Sequence, residues 1–138
     1  MIFTSYFANI KNFPPNVIPI SICAKVPDWY TGLRYSKLAP KYDLLMKYKV
    51  DHNKANYIEC YNNTTLKCLN PLWVLNDLQC MIDYELGDSQ YPFWEIPDLH
   101  VALICYEKPT DFCHRHLVAE WFRNYGVECD EWQKNKVT

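Results

Sequence analysis

The sequence predicts one three-layer α/β domain over residues 1–138, a small, mostly parallel sheet with helices on its faces. Three observations predict it. Val101-Ala102-Leu103-Ile104 is an unbroken apolar run, the pattern of a parallel strand buried on both faces. Runs of that kind alternate with stretches of helical periodicity, and such alternation yields a mostly parallel sheet. The 138 residues, 49% of them apolar and 16% aromatic, suffice for one core and leave little room for a second domain.

The elements follow in order. Residues 2–9, rich in aromatic and β-branched types, form the first expected strand, and Pro14-Pro15 marks a turn. Residues 17–24 (Val-Ile-Pro-Ile-Ser-Ile-Cys-Ala) form the second, with Pro19 removing one ladder donor; 25–32 follow as a loop. A helix is expected over 40–49, with Pro40 in its first turn. Residues 57–69 carry the stripe Tyr57, Ile58, Tyr61, Thr65 and Leu69, weakened by the poor helix formers at 62–65. Asn70-Pro71 starts the next helix, Asn as cap and Pro in the first position. Its expected inner face is Leu72, Leu75, Leu78 and Ile82, ending near Tyr84. Residues 83–98 are a long aromatic insertion with Tyr84, Tyr91, Phe93 and Trp94. The plain reading is a loop packed by its own aromatics; the sharper one is a lid or a partner-binding surface. Residues 100–106 are the best strand in the chain. Residues 114–125 form an amphipathic helix ended by Gly126, and 127–132 a last strand.

Composition narrows the function classes. Charged residues are 22% with a net charge of −2, which excludes a disordered polyelectrolyte and argues against an extended nucleic-acid partner. No stretch approaches the roughly 20 apolar residues of a membrane span, so no membrane partner is expected. The first residues have no basic region followed by an apolar one, against a secretory leader. Seven cysteines, an odd number set mostly inside periodic segments, point to reduced thiols and a cytoplasmic protein. The oligomeric state is left open.

In parallel sheets ligands sit beyond the carboxyl ends of the strands. Ser5-Tyr6, Cys23-Ala24-Lys25 and Cys105-Tyr106-Glu107 are expected there. The connector after the central strand gathers Cys105, Glu107, Cys113, His114, Arg115 and His116, far more chemistry than a plain turn needs. With Thr110 or Asp111 as cap, Cys113, His114 and Arg115 fall at a helix start, whose free N–H groups and dipole favour anions and thiolates. His114 continues the expected buried stripe Leu117, Val118, Trp121, Phe122 and Tyr125, so it is the site histidine; His116 aligns with Glu120 and Arg123 on the wet face. Core packing is the plainer reading for Cys23, Cys60, Cys68, Cys80 and Cys129, whereas for Cys105 and Cys113 packing and a site role weigh evenly. Zinc is the rival. Its ligand types are present, but a seven-residue gap between the thiols and adjacent ligands on a helix match no usual spacing. No metal and no cofactor are assigned.

The expected function is binding of an anionic, nucleotide-like small molecule at 105–115, with thiol-dependent catalysis left open. Lys25 and Arg115 would hold the anion. Cys113 or Cys105 would be the nucleophile, His114 the base or orienter, and Glu107 the acid/base or hydroxyl-binding group. Tyr6, Trp29, Tyr30 and Tyr61 could stack on a ring, with core packing the plainer reading for each. The alternative is a non-catalytic interaction or sequestering protein, viral or directed against a defence, that holds its partner through Trp29-Tyr30 and the aromatic 83–98 segment.

Cys-Tyr-Glu-Lys-Pro followed by Phe-Cys-His-Arg-His-Leu-Val-Ala-Glu-Trp, within 105–121, resembles the C-terminal motif of the "domain of unknown function" family four-eight-eight. Leu38-Ala39-Pro40-Lys41-Tyr42 and Ile58-Glu59-Cys60-Tyr61 with Leu66 resemble further segments of it. The resemblance implies a small α/β protein of bacteria or their viruses, with its site at the Cys-x-Glu … Cys-His-Arg element, and carries no settled activity. Many members have an Arg-bearing turn after the second strand, where this chain has Ser21-Ile22-Cys23-Ala24-Lys25. Lys25 keeps the charge without the bidentate geometry.

Overall fold

The computed structural model describes residues 1–87, 90–107 and 112–134. The unbroken apolar run is the heart of β4 (His100–Cys105), buried along its whole length. β1 (Ile2–Tyr6) and β2 (Val17–Ser21) lie parallel on its two sides, in registers from Ile2↔Val101 to Tyr6↔Cys105 and from Val17↔His100 to Ser21↔Ile104. β3 (Leu33–Arg34) and β5 (Cys129–Glu131) are short parallel edges, and the order is β3-β2-β4-β1-β5. The α/β class with a mostly parallel sheet is as expected, and every strand pairing among the described residues is parallel. Pro19 is tolerated for a geometric reason. Ile22 donates to the Ile104 carbonyl of β4, so by alternation the missing Pro19 donor faces β3, whose pairing begins only at Ile20.

The helices are α1 (Tyr42–Asp51), α2 (Lys54–Thr64), α3 (Pro71–Leu86) and α4 (His114–Tyr125). Asn53 and Asn70 cap their helices by accepting from the backbone N–H groups of Asn56 and Leu72. Gly126, at φ 98°, ends α4 in the left-handed conformation that glycine adopts without strain.

The layering differs from the expectation. Inner residues of all four helices, among them Leu44, Tyr61, Leu78 and Phe122, form one core with Ile20, Val101 and Leu103. The opposite face, with Phe3, Val17, Ala102 and Ile104, is covered by Phe7, Tyr30, Cys113 and Trp132. The helices therefore pack on one face, and a 3-10 turn (Phe7–Asn12) and the loop 22–32 take the place of a third helical layer. Those connections are short and proline-bearing, too short for a crossover helix.

Local differences have local causes. α3 turns Val74 inward and leaves Leu72 exposed. α4 buries Arg115, Val118, Ala119 and Phe122, with Leu117 and Trp121 only partly covered and Tyr125 exposed. The buried stripe is thus rotated by about one residue from the expected one. In the aromatic segment Phe93 is fully buried and Trp94 packs against the same core, whereas Tyr84 and Tyr91 are exposed; residues 88 and 89 lie outside the described residues. No helix among the described residues is long and apolar enough to cross a membrane.

Candidate thiol site at the end of the central strand

The topology opens a crevice at the carboxyl end of β4. From Cys105 the chain goes to α4 on the helical face. From β1 and β2, the two neighbours, it goes to the opposite layer through Phe7 and the loop 22–32. Where adjacent strands send their connections to opposite faces, a hollow remains between them.

Four of the residues singled out from the sequence converge there. Cys113 occupies the N-cap position of α4; the capping residues expected, Thr110 and Asp111, lie outside the described residues. Cys105 and Cys113 are joined as a disulfide across Cα atoms 7.4 Å apart. This corrects the expectation of seven reduced thiols: Cys23, Cys60, Cys68, Cys80 and Cys129 are free. Cys105, Cys113 and His114 are all buried and present their ligating atoms within 4.8 Å of one another.

His114 is 5% exposed, and its Nε2 lies 2.9 Å from the Ile22 carbonyl oxygen. A carbonyl only accepts, so Nε2 carries the proton and donates. Nδ1 is then the unprotonated nitrogen, and it faces Cys113 Sγ at 3.7 Å. Burial pushes the imidazole down to about 4, assisted by the Arg115 charge and opposed by the Ile22 hydrogen bond. A neutral imidazole with its lone pair towards a sulfur can act as a base or as a ligand.

Arg115 corrects the notion of a free anion holder. Its phase on α4 turns it inward and it is fully buried. Nε and Nη2 donate to the two carboxylate oxygens of Glu131, each at 3.0 Å. Nη1 donates to the Glu107 carbonyl and, at 3.1 Å, to Cys105 Sγ. Thr4 Oγ1 donates to Glu131 Oε1 at 2.7 Å. The guanidinium thus ties β1, β4 and β5 together and offers a charged donor to one sulfur, which favours that sulfur's anionic form. Glu131 and Thr4 escaped the sequence reading. The available signal was strand alternation: Glu131 sits two residues after the buried Cys129, on the inward side of β5.

The remaining candidates separate. Tyr6 lies under the Arg115 guanidinium, 5.8 Å from ring centroid to Cζ. Tyr30 and Tyr61 are core residues whose hydroxyls donate to the carbonyls of Leu33 and Leu38, so neither offers a face to a ligand. Glu107 and Lys25 are exposed. Trp29 is 59% exposed and lines an open groove of about 600 Å³ with Phe7, Lys11, Pro27 and Tyr106. Phe7 was hidden in the sequence by extending the first strand to residue 9, and Lys11, just beyond it, fell in a stretch given no element. Burial also pushes the thiols of Cys23 and Cys129 up to about 12, in keeping with packed, inert cysteines. No family model, curated protein or solved structure matches the chain.

Proposed function

We propose that the protein binds an anionic, nucleotide-like small molecule in the groove at the carboxyl end of β4, beside the sulfurs of Cys105 and Cys113. One observation carries the reading: Tyr106, which walls the groove, directly follows Cys105 of the thiol cluster. Trp29 and Tyr106 offer ring faces for stacking, and Lys11 supplies the positive charge that Arg115, neutralised by Glu131, does not. Once the disulfide is reduced, His114 Nδ1 can accept a hydrogen bond from the Cys113 thiol and orient it, and the Arg115 donor stabilises the Cys105 sulfur as an anion, so thiol chemistry on a bound ligand is within reach. The Cys-x-Glu … Cys-His-Arg pattern that carries the family resemblance supplies these sulfurs, the imidazole and the guanidinium.

Calorimetry with adenosine monophosphate and with adenosine tests this. Tighter binding of the monophosphate, weakened by Trp29→Ala and by Lys11→Gln but not by Trp73→Ala on the exposed side of α3, is the expected result. Absence of binding, or binding indifferent to Trp29→Ala, refutes it. The first outcome would favour the interaction-protein reading, to which the 59% exposure of Trp29 and 49% exposure of Tyr106 also lend themselves.

A further inference from the structure

The Cys105–Cys113–His114 cluster has more ligand character than its sequence spacing suggested. Here one sulfur comes from the end of β4, and the other sulfur and the imidazole come from the start of α4. All three are buried.

We infer that, with its thiols reduced, the protein binds one soft divalent cation, zinc-like, through Cys105 Sγ, Cys113 Sγ and His114 Nδ1. The inference goes beyond the groove-binding reading and does not rest on it. Four observations support it. First, His114 donates Nε2–H to the Ile22 carbonyl, which fixes Nδ1 as the free lone pair and orients the ring, as a backbone carbonyl does behind a metal-bound histidine. Second, Nδ1 and Cys113 Sγ are 3.7 Å apart. Nitrogen and sulfur ligands sharing one tetrahedral zinc ion lie about 3.6 Å apart. Third, the Cα atoms of Cys105 and Cys113 are 7.4 Å apart, wider than the roughly 4.4–6.8 Å usual for directly bonded cysteines. Two thiolates on one zinc ion hold their sulfurs about 3.8 Å apart and so accept a wider backbone separation.

The fourth is charge. Arg115 and Glu131 already neutralise each other. Ionising both buried thiols would set two negative charges against a single guanidinium N–H, on Cys105 Sγ, a costly state. A divalent cation cancels both. The guanidinium N–H on Cys105 Sγ then serves as an outer hydrogen bond to a bound sulfur. Three protein ligands leave a fourth position open, as catalytic zinc sites do.

The bonded sulfurs are the oxidised counterpart of this site. A small dithiol reduces them by exchange: the S–S bond breaks, two Cys thiols form, and the dithiol becomes a cyclic disulfide carrying the two-electron loss. Cation binding then releases the two thiol protons. Cobalt(II) serves as the probe, added to metal-stripped full-length protein that has been reduced and checked for folding by circular dichroism. One equivalent should bind with thiolate-to-cobalt charge-transfer absorption. That absorption should disappear in Cys105→Ser and Cys113→Ser, persist in Cys60→Ser and Cys80→Ser, and be absent after peroxide oxidation. Folded, reduced wild-type protein without the band, or a band that survives oxidation, overturns the inference. Trp29→Ala should leave the band unchanged, so a failure here is distinguishable from a failure of the nucleotide groove.

Discussion

Replacing Glu131 by alanine isolates the energetics of the buried cation. In the wild type both carboxylate oxygens accept from Arg115 at 3.0 Å, and Oε1 also accepts from Thr4 Oγ1 at 2.7 Å. Among the described residues, the variant leaves a fully buried guanidinium with hydrogen bonds only to a sulfur and a carbonyl, and with no neutralising charge. Removing one partner of a buried pair costs about 3–5 kcal/mol. The Glu131 side chain keeps 18% exposure, so water can partly replace it and the lower end, about 3 kcal/mol, is expected. For a chain of this size that lowers the melting temperature by about 10 °C. Urea denaturation should show a lower midpoint at unchanged slope. Lys37→Ala breaks an exposed pair with Asp77, side chains 65% and 40% exposed, and should cost less than about 1 kcal/mol. The double variant Arg115→Met, Glu131→Leu should recover most of the loss, because the cost lies in the orphaned charge. Were Glu131→Ala to cost no more than Lys37→Ala, the reasoning would be refuted.

Further expectations follow from other elements. Asn70→Ala removes the cap on the Leu72 N–H and should cost about 1 kcal/mol by chemical denaturation, whereas Lys41→Ala, at an α1 start without a side-chain cap, should cost almost nothing. Phe122→Ala opens a cavity in the helical core and should cost about 3–5 kcal/mol. The packed thiols of Cys23 and Cys129, pushed up to about 12, should resist alkylation at pH 8, while the exposed Cys68 and Cys80 react first; prompt labelling of Cys129 in folded protein would contradict this. Burial and the nearby amino terminus depress His100, with Asp98 opposing. Below pH 6.5 the unfolded chain then takes up a proton that the folded chain refuses. Stability should be full above that pH and fall as the pH drops, more steeply in wild type than in His100→Phe; identical pH curves would contradict the assignment.

Much of the fold was legible because local chemistry and tertiary demand agreed. The Val101–Ile104 run, the Asn70-Pro71 start and the Gly126 stop each name their element through burial, capping and backbone freedom, and each is found where expected. The short β3 was not legible: two residues carry no period. The phase of α4 was misread because Trp121 and Tyr125 drew the stripe towards themselves, while a charged residue, Arg115, holds an inner position.

By itself the sequence determined a mostly parallel α/β sheet and put thiols, imidazole and guanidinium on the connector after its central strand, because apolar periodicity and helix boundaries are local properties. Only the tertiary structure decided what those groups face. Glu131 arrives from a strand sixteen residues away and claims the guanidinium. The Ile22 carbonyl arrives from the end of β2 and sets the histidine tautomer. Which face of the sheet carries helices was likewise settled by the spans between strands. Pairing across the chain depends on topology, and a buried charge or lone pair takes its chemical role from the one partner that topology brings within 3 Å or so of it.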